Sequence, residues 1–567
     1  MSRVASFADD LLWEMLALSP DLAVELGVRE LDGRALPQDR VPDYSDAACA
    51  ERRNVIDRCG RALPALAEAA QTQDDRTTWR VLDYLTREGG FGLYSGRAAR
   101  AWPDIPYPVD HLGGWHVSAE SMLARDSVVE SRDDAEAWLA RLDGLPQAVE
   151  GVLEALAARR AEGVLAPRST LAMSLAQLQG RLAESPDRTL LVAALRKKAS
   201  AAIGDEEGAG FARRAEAIWR DAVAPAYARL AAATAAELEN SDGDCGFWAL
   251  PEGEAWYAWH LRRQTTTDLT PGEVHQIGLE EVAKVQAQIR DEFQALGIGQ
   301  GSIPELYAAI SGPEQRAFTA AADDRNAALA ETAALVARLE ATAASLFARL
   351  PAAGVEVELI APDQEDSQHS RYTPPDRSGG RPGRFSLNLK SQSDRPQWEL
   401  PVLCAHEATP GHHTQLALAQ ELPLCAFRRT VVFTAYIEGW AKYAETLLDS
   451  ELMDDPLVRL GRLRGELYSS VNLALDTGVH AQRWTRDRAI RFFRTETGAG
   501  APMAEAIVDR CLVWPGQLAA YKIGMLKMRE LRDSFTGPVQ AFHSAVLDQG
   551  ALPLTVLDDA LRRGAQA

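Results

Sequence analysis

The sequence lacks any apolar stretch of the roughly 18 residues that a membrane-spanning helix requires. Its first ten residues, MSRVASFADD, contain no apolar core of the length found in signal peptides. These two absences predict a protein without a membrane partner and without a secretion signal.

Cysteine is scarce, with six residues in a chain of 567, and none of the six has the C-x-x-C spacing of metal or redox motifs. We interpret them as buried free thiols in a reducing compartment. Taken with the apparent lack of a signal peptide, they predict a cytoplasmic protein. The six are Cys49, Cys59, Cys245, Cys404, Cys425 and Cys511.

Positive charge is also in deficit, since 60 Lys and Arg residues face 81 Asp and Glu residues and give a net charge of −21. Such a balance argues against sequence-independent binding to nucleic acid or to an anionic membrane. Hydrophobic residues at 46% and charged residues at 25% are ordinary for a globular protein and exclude global disorder. No fixed-period repeat is present, so a solenoid is not expected.

Residues 1–350 have the composition of a set of helices. They are rich in Ala, Leu, Glu and Arg and are interrupted by Pro/Gly clusters at irregular intervals. The sequence Thr270-Pro271-Gly272-Glu273 supplies an N-cap, a proline at the first helical position and a capping-box glutamate. The run from Pro313 to Leu350 has no internal proline or glycine and predicts one long helix, or two.

The hydrophobic period changes after Gly354. Residues 355–359 alternate strictly, residues 384–389 alternate again, and a Pro/Gly-rich loop separates them. Two short strands predict a small sheet at the edge of a cleft, whose free edge pairs with an extended peptide. A hairpin that only covers the core is the alternative. The fold expected is mainly α, with a helical part at 1–350 and a second part at 351–567, within one continuous structural unit.

Three of the ten histidines fall within CAHEATPGHHTQ, residues 404–415. His406 and Glu407 follow an apolar helix start, where an imidazole and a carboxylate are costly to bury without partners. His-Glu begins the zinc-peptidase motif H-E-x-x-H, but the next histidine, His412, is six residues on and about 9 Å further along a regular helix. Because Pro410 breaks a helix, we expect a bulge that returns His412 to the side of His406. His413 is the rival ligand, and a solvated helix face is the alternative interpretation.

Further carboxylates and donors follow along the chain. Glu438 lies inside the apolar stretch 437–445, and two histidines plus a distant glutamate form a known catalytic zinc set with one position left for water. An acid that faces solvent is the alternative for Glu438. Asp476 and His480 are one helical turn apart. A last helix places Gln517 and Tyr521 on one face, with Lys522 adjacent, a pattern that ordinarily belongs to core packing.

Taken together, four blocks resemble the domain of unknown function 885 (DUF885) family: HEATPGHHTQ at 406–415, EGWAKYAE at 438–445, DTGVH at 476–480 and PGQLAAYKIG at 515–524. The resemblance extends upstream to Arg381-Pro382-Gly383 and Leu269-Thr270-Pro271, so it covers most of the chain. That family in turn resembles helical zinc metallopeptidases of the carboxypeptidase Taq and thimet-oligopeptidase type, which share a long helical cleft. The motif of these peptidases is H-E-x-G-H. Gly411-His412 matches the end of this motif, and the present sequence has two extra residues before that match. The resemblance therefore implies that His412 is the ligand.

The expected function is zinc-dependent hydrolysis of peptide bonds, by a carboxypeptidase or an oligopeptidase. One divalent ion is expected on His406, His412 and Glu438, with Glu407 as general base. Tyr521 and His480 are the candidates for stabilising the charge that develops on the carbonyl oxygen. The supporting assignments are Glu445 bracing a ligand histidine, Asp476 orienting His480, Arg381 or Lys522 binding a substrate carboxylate, and Gln517 and His413 near the substrate.

Three other functions are weighed against this one. An amidase or deacylase acting on a small molecule would use the same ion and base. A non-catalytic helical scaffold would bind peptides in the cleft without metal. A ferritin-like di-iron site needs Glu-x-x-His, but the third residue after Glu407 is Pro410, which disfavours it. The sequence leaves end specificity, substrate and oligomeric state open.

Overall fold

The computed structural model describes residues 1–88, 107–310, 322–360, 365, 370–376, 381–392 and 396–564. Within these residues the protein is mainly α-helical, as predicted, and has one two-stranded and one three-stranded sheet. Among the described helices, each is too short or too polar to cross a lipid bilayer.

Two compact units make up the chain. The first comprises Met1–Trp256 with Cys425–Phe427 and Leu512–Trp514, and the second comprises Tyr257–Leu424, Arg428–Cys511 and Pro515–Ala567. The boundary predicted from the sequence, between residues 350 and 351, lies inside the second unit. The second unit begins earlier because helix α12, before that division, packs along α21, after it.

The first unit is built mainly from helices. Its elements are α1 (Arg3–Ala17), α2 (Pro20–Glu25), β1 (Glu30–Leu31), β2 (Arg34–Ala35), α3 (Asp46–Ala69), α4 (Gln73–Arg87), α5 (Trp115–Glu120), α6 (Arg132–Ala161), α7 (Arg168–Ala183), α8 (Leu190–Ile203), α9 (Asp205–Ile218) and α10 (Ala224–Asn240); α11 (Gly253–Thr265) begins here and continues into the second unit. Trp115, Trp138 and Tyr227 are fully buried in the core that α5, α6 and α10 share.

The helices of the second unit carry most of the residues considered for function. They are α12 (Pro271–Ala295), α13 (Ile303–Ile310), α14 (Ala322–Ala343), α15 (Leu389–Gln392), α16 (Leu400–Glu407), α17 (His412–Glu421), α18 (Ala426–Thr430, which begins in the first unit), α19 (Thr434–Ala444), α20 (Ser450–Asp454), α21 (Pro456–His480), α22 (Arg486–Thr497), α23 (Ala501–Val513, which ends in the first unit), α24 (Gln517–Ser534), α25 (Val539–Leu547) and α26 (Leu554–Gly564).

The start of α12 confirms the predicted capping box. The Thr270 hydroxyl accepts from the Glu273 amide at 3.3 Å, and the Glu273 carboxylate accepts from the Thr270 amide at 2.8 Å. The long helix predicted from Pro313 to Leu350 is described only in part, because residues 311–321 lie outside the described residues. Its described portion, α14, ends at Ala343, earlier than predicted.

Both predicted strands of the second unit are present, and a third joins them. β3 (Val355–Leu359) pairs in parallel with β5 (Gly383–Leu387), so the two do not form a hairpin. β4 (Arg371–Thr373) pairs antiparallel with β5 and forms an edge of the sheet, although the sequence places it in a loop. The strand predicted at 384–389 ends at Leu387.

Candidate metal centre

The bulge expected between His406 and His412 is a complete break between two helices. α16 ends at Glu407, α17 begins at His412, and Ala408 (φ −99°, ψ −124°) and Gly411 (φ −79°, ψ −127°) are not helical. A Cβ atom on Gly411 would lie 2.0 Å from the carbonyl oxygen of His406, so the chain can fold back this tightly only at a glycine. Because of this break, α17 is a separate helix and does not continue α16.

Across this break the two histidines meet a glutamate of α19. Nε2 of His406 and Nε2 of His412 each lie 3.5 Å from Oε2 of Glu438. The two imidazole rings have centroids 4.8 Å apart and planes at 84°. One ligand atom from each of the three side chains lies within 4.8 Å of the other two. The structure thus brings together the three residues that the sequence analysis assigns to a metal.

The polar atoms of this group fit a bound cation. Oε2 of Glu438 is buried and has no hydrogen-bond partner among the described residues. An unsatisfied buried carboxylate oxygen is costly, and a cation between the three side chains would remove that cost. Two imidazole nitrogens and one carboxylate oxygen are also a donor set typical of a catalytic zinc site.

Carboxylates around His406 give the group an electrostatic preference for positive charge. Burial lowers the pKa of His406, but the contacts with Glu438 and Glu445 and the charge of Glu407 outweigh burial and raise this pKa to about 10. Burial raises the pKa of Glu438, but both histidines outweigh it and hold that pKa well below its usual range. The pocket therefore stabilises added positive charge, whether a proton or a metal ion supplies it.

Glu445 lies on the side of His406 that faces away from Glu438. Its Oε1 is 3.0 Å from Nδ1 of His406, the contact that the sequence analysis expects of a residue bracing a ligand histidine. Nζ of Lys442 lies 2.8 Å and 2.6 Å from the two carboxylate oxygens of Glu445. Burial raises the pKa of Glu445, but the contacts with Lys442 and His406 lower this pKa by a larger amount. The net shift is therefore downward.

Glu407, the last residue of α16, is buried beside the two histidines. Burial raises the pKa of its carboxyl group, His406 and His412 lower it, and the charge of Glu438 raises it; the net shift is upward. Its carboxylate also accepts a hydrogen bond from the backbone amide of Tyr372 in β4. An upward-shifted pKa suits a carboxylate that takes up a proton and later returns it.

His413 points to other partners. Its Nδ1 lies 2.9 Å from the Tyr372 hydroxyl, and its ring donates to the backbone carbonyl of Ala353. Burial lowers the pKa of His413 to about 4, although the Ala353 carbonyl opposes this shift. With its ring engaged at this position, His413 is not part of the group, and His412 is the histidine that meets Glu438.

Tyr521 approaches the group from α24. Burial raises its pKa to about 12, and the charge of Glu438 adds to the shift, which places the phenol near that carboxylate. Arg510 donates from Nη2 to the Tyr521 hydroxyl at 3.3 Å and to Oε1 of Gln517 at 2.8 Å. Tyr521 thus lies near Glu438 of the candidate metal centre, and Gln517, one turn earlier in α24, shares its partner Arg510.

The sequence prediction for His480 is wrong. This residue is fully buried, and its Nε2 donates to the backbone carbonyl of Cys511 at 2.8 Å, so it is not available to a substrate oxygen. Asp476 accepts from the Tyr257 hydroxyl at 2.6 Å and from the Gly516 amide at 3.0 Å, and thereby anchors the start of α24. Asp476, His480 and Cys511 also lie close enough to share an ion, but the carboxylate oxygens already have donors.

The prediction that Lys522 binds a substrate carboxylate is wrong as well. Its side chain has no exposed surface, and its Nζ lies 2.8 Å from both Glu281 and Glu466. Arg381 is partly exposed and donates to the carbonyl oxygen of Pro374 at 2.9 Å. A substrate role for Arg381 stays a prediction.

Sequence reasoning missed three residues that contact the site. Lys442 stands three residues before Glu445, a spacing that places both on one helix face and was available as a signal. Arg510 and Tyr372 had no such signal, because Arg510 contacts Tyr521 from another helix and Tyr372 lies in a three-residue strand inside a proline-rich segment.

Comparisons with known proteins agree on one family and one fold. A family described as "Bacterial protein of unknown function (DUF885)" matches residues 20–561. The crystal structure of a presumed lipoprotein from Colwellia psychrerythraea is 26% identical, with a TM-score of 0.90 over 100% of this chain and 99% of that one. A presumed lipoprotein of unknown function from Shewanella oneidensis is 16% identical, with a TM-score of 0.72 over 99% of each chain, and shows the fold alone. No protein with a curated function matches.

Proposed function

The chain belongs to the DUF885 family of bacterial proteins of unknown function, and we propose that it is a metal-dependent hydrolase of peptide bonds. The observation that carries this proposal is the meeting of His406, His412 and Glu438, with 3.5 Å from each Nε2 to the same carboxylate oxygen. The proposal also accords with the resemblance to zinc metallopeptidases of the carboxypeptidase Taq and thimet-oligopeptidase type.

One divalent ion would be held by His406, His412 and Glu438, and their nitrogen and oxygen donors favour zinc. When bound, such an ion supplies Lewis acidity toward a carbonyl oxygen and a water molecule. The unpartnered oxygen of Glu438 supports this assignment.

Glu407 is the general base of the proposed reaction. A carboxylate oxygen of Glu407 takes a proton from the attacking water and later gives that proton to the nitrogen of the leaving amine. Its upward-shifted pKa brings it closer to the pH at which both steps are efficient. The amide of Tyr372 donates to this carboxylate and helps to orient it.

Tyr521 is the proposed donor to the oxygen on which negative charge develops. Its hydroxyl accepts from Arg510, which leaves the phenolic proton free to point at a substrate. Loss of one such donor typically costs about 3 kcal/mol of transition-state stabilisation.

The edge strand β4 favours a peptide over a small amide as the substrate. The Tyr372 amide donates to Glu407, so it points away from β5 and toward the candidate base. An extended peptide that pairs along this edge would pass its backbone beside Glu407. A small-molecule amide would make no use of the strand.

The location of the protein stays a prediction. All six cysteines are free thiols, which accords with a cytoplasmic site of action. The relative from Colwellia psychrerythraea is a presumed lipoprotein, which points to a membrane-attached protein instead. Immunodetection in soluble and membrane fractions of the native cell decides between the two.

Turnover of a mixed peptide library, read by mass spectrometry with and without a chelator, tests the proposed function. We expect cleavage that the chelator abolishes and added Zn²⁺ restores. Products shortened by one residue at the carboxyl end would identify a carboxypeptidase, whereas internal cuts would identify an oligopeptidase. Peptide binding without cleavage by the zinc-loaded protein would refute the hydrolase proposal and favour a scaffold.

A further inference from the structure

Lys442 is a buried lysine that contacts the candidate metal centre only through another residue. It is 4% exposed in α19, and Glu445, its ion-pair partner, is also 4% exposed. Its Nζ lies 2.8 Å from Oε1 and 2.6 Å from Oε2 of Glu445, so both carboxylate oxygens are held by one ammonium group. A buried ion pair is weak evidence for stability, because the loss of hydration offsets much of the attraction.

The same carboxylate connects Lys442 to a proposed ligand. Oε1 of Glu445 is 3.0 Å from Nδ1 of His406, whereas Nε2 of His406 faces Oε2 of Glu438 at 3.5 Å. A neutral imidazole that donates its Nδ1 proton to Glu445 presents the lone pair of Nε2 toward Glu438. This is the tautomer that a metal bound between His406 and Glu438 requires.

We infer that Lys442 is a positioning residue, which fixes the orientation and tautomer of His406 by holding the carboxylate of Glu445. The inference rests on the metal site of the proposed function. Because Lys442 contacts both oxygens of Glu445, that carboxylate cannot rotate without breaking a charge-assisted hydrogen bond. Glu445 is thereby kept at the Nδ1 side of the ring, away from the position where the ion would bind.

The charges around the site agree with this role. Glu407, Glu438 and Glu445 bring three carboxylates close together, and Lys442 is the ammonium in contact with one of them. The two negative charges that remain match the charge of one divalent ion. Loss of the ammonium would leave Glu445 as an uncompensated buried anion, which can reorient and compete as a ligand.

The affinity for Co²⁺ and Zn²⁺, measured by competition with a chromophoric chelator, tests the inference without relying on activity. Lys442→Met keeps an unbranched side chain, one atom shorter, and removes its charge. We expect it to weaken metal binding by about 10- to 100-fold, the usual effect of removing a group that orients a ligand. Lys442→Arg, which keeps a cationic donor, should recover most of the loss.

Lys522→Met is the matched control. Lys522 is also a fully buried, ion-paired lysine, but its partners are Glu281 and Glu466 and neither is a proposed ligand. This control should lower stability and leave the metal affinity of the folded protein unchanged. The visible absorption bands of the Co²⁺-loaded protein should shift in Lys442→Met and stay unchanged in Lys522→Met, because they report ligand geometry.

A double-mutant cycle with Glu445→Gln tests whether Lys442 acts on His406 through Glu445. If Lys442 acts through Glu445, Lys442→Met adds no further loss of affinity in the Glu445→Gln background. An equal loss in both backgrounds, or wild-type affinity in Lys442→Met, overturns the inference. If Lys442→Met does not fold, unchanged affinity and spectra in Glu445→Gln overturn it equally.

The result for the wild-type protein separates this inference from the proposed function. Tight metal binding without peptide cleavage refutes the hydrolase and leaves the role of Lys442 standing. Cleavage with wild-type metal affinity in Lys442→Met refutes only the positioning role. If the wild-type protein binds neither Co²⁺ nor Zn²⁺, the proposed function and the positioning role of Lys442 are both refuted.

Discussion

Gly439 and Gly524 bring two helices into backbone contact. A Cβ atom on Gly439 would lie 2.4 Å from the Cα atom of Gly524, and a Cβ atom on Gly524 would lie 2.1 Å from the carbonyl oxygen of Ala435. α19 and α24 therefore cross at these glycines. Glu438 immediately precedes one glycine and Tyr521 stands three residues before the other, so this crossing sets the proposed donor beside the proposed ligand.

Gly524→Ala should destabilise the protein by about 1–3 kcal/mol, because the new methyl group has no space between the helices. Urea unfolding measures this change. Gly272→Ala is the control, since a Cβ atom there meets nothing within 4 Å and the substitution should be neutral or slightly stabilising. Equal stability of both variants would contradict the close crossing.

Tyr521→Phe should lower kcat by about 10²- to 10³-fold while the metal content stays the same, because it removes the donor to the developing charge. Steady-state kinetics on the best library peptide measures the effect. Tyr436→Phe, on the neighbouring helix, removes a buried hydroxyl that donates to the Val546 carbonyl and should affect stability only. Unchanged turnover in Tyr521→Phe would remove this residue from the mechanism.

Asp476 should make stability fall as the pH rises toward neutrality. Burial raises its pKa from the ordinary 3.8 to about 7, against the hydrogen bonds from Tyr257 and Gly516. Between these two values the folded state holds a proton that the unfolded state has lost, so the stabilisation contributed by Asp476 falls by about 1.4 kcal/mol per pH unit. It is complete below pH 3.8 and lost above about pH 7.

Asp476→Asn removes that titration. We expect the stability of the wild type relative to this variant to decline from pH 5 to pH 7.5, as measured by urea unfolding at both values. A stability difference that does not depend on pH would show that Asp476 is ionised throughout this range.

Zinc should stabilise the folded chain by mass action. At a free Zn²⁺ concentration of 1,000 times the Kd, the gain in the free energy of unfolding is about 4 kcal/mol, provided that the unfolded chain binds none. Thermal unfolding with Zn²⁺ and with a chelator measures this gain. Glu438→Gln should remove most of the difference, and an equal difference in that variant would place the stabilising ion elsewhere.

Local patterns predicted much of the fold and part of the site. The capping box at Thr270 and the alternation at 355–359 depend on neighbouring residues, and the structure has both the helix and the strand. β4 escaped prediction because three residues are too few for a period. The early end of α14 was missed because Ala343 to Leu350 contains no proline or glycine to mark it.

The candidate site also combines features that the local sequence predicts with features that depend on the folded structure. The histidine cluster identified the segment in which the structure brings two histidines to Glu438. The choice between His412 and His413 depends on the non-helical torsions of Ala408 and Gly411, which spacing alone does not encode. Lys442 and Lys522 both lie in apolar helices. Their partners decide their roles, and the partners of Lys522 come from α12 and α21, which are distant in sequence.

Metal stoichiometry by mass spectrometry of the purified, zinc-equilibrated protein tests the central claim most directly. The account predicts one Zn²⁺ per wild-type chain, loss of that ion in His406→Ala, His412→Ala and Glu438→Gln, and its retention in His413→Ala and Glu407→Gln. A wild-type chain that binds no zinc would contradict the account. Retention of zinc in His412→Ala together with its loss in His413→Ala would also contradict the account.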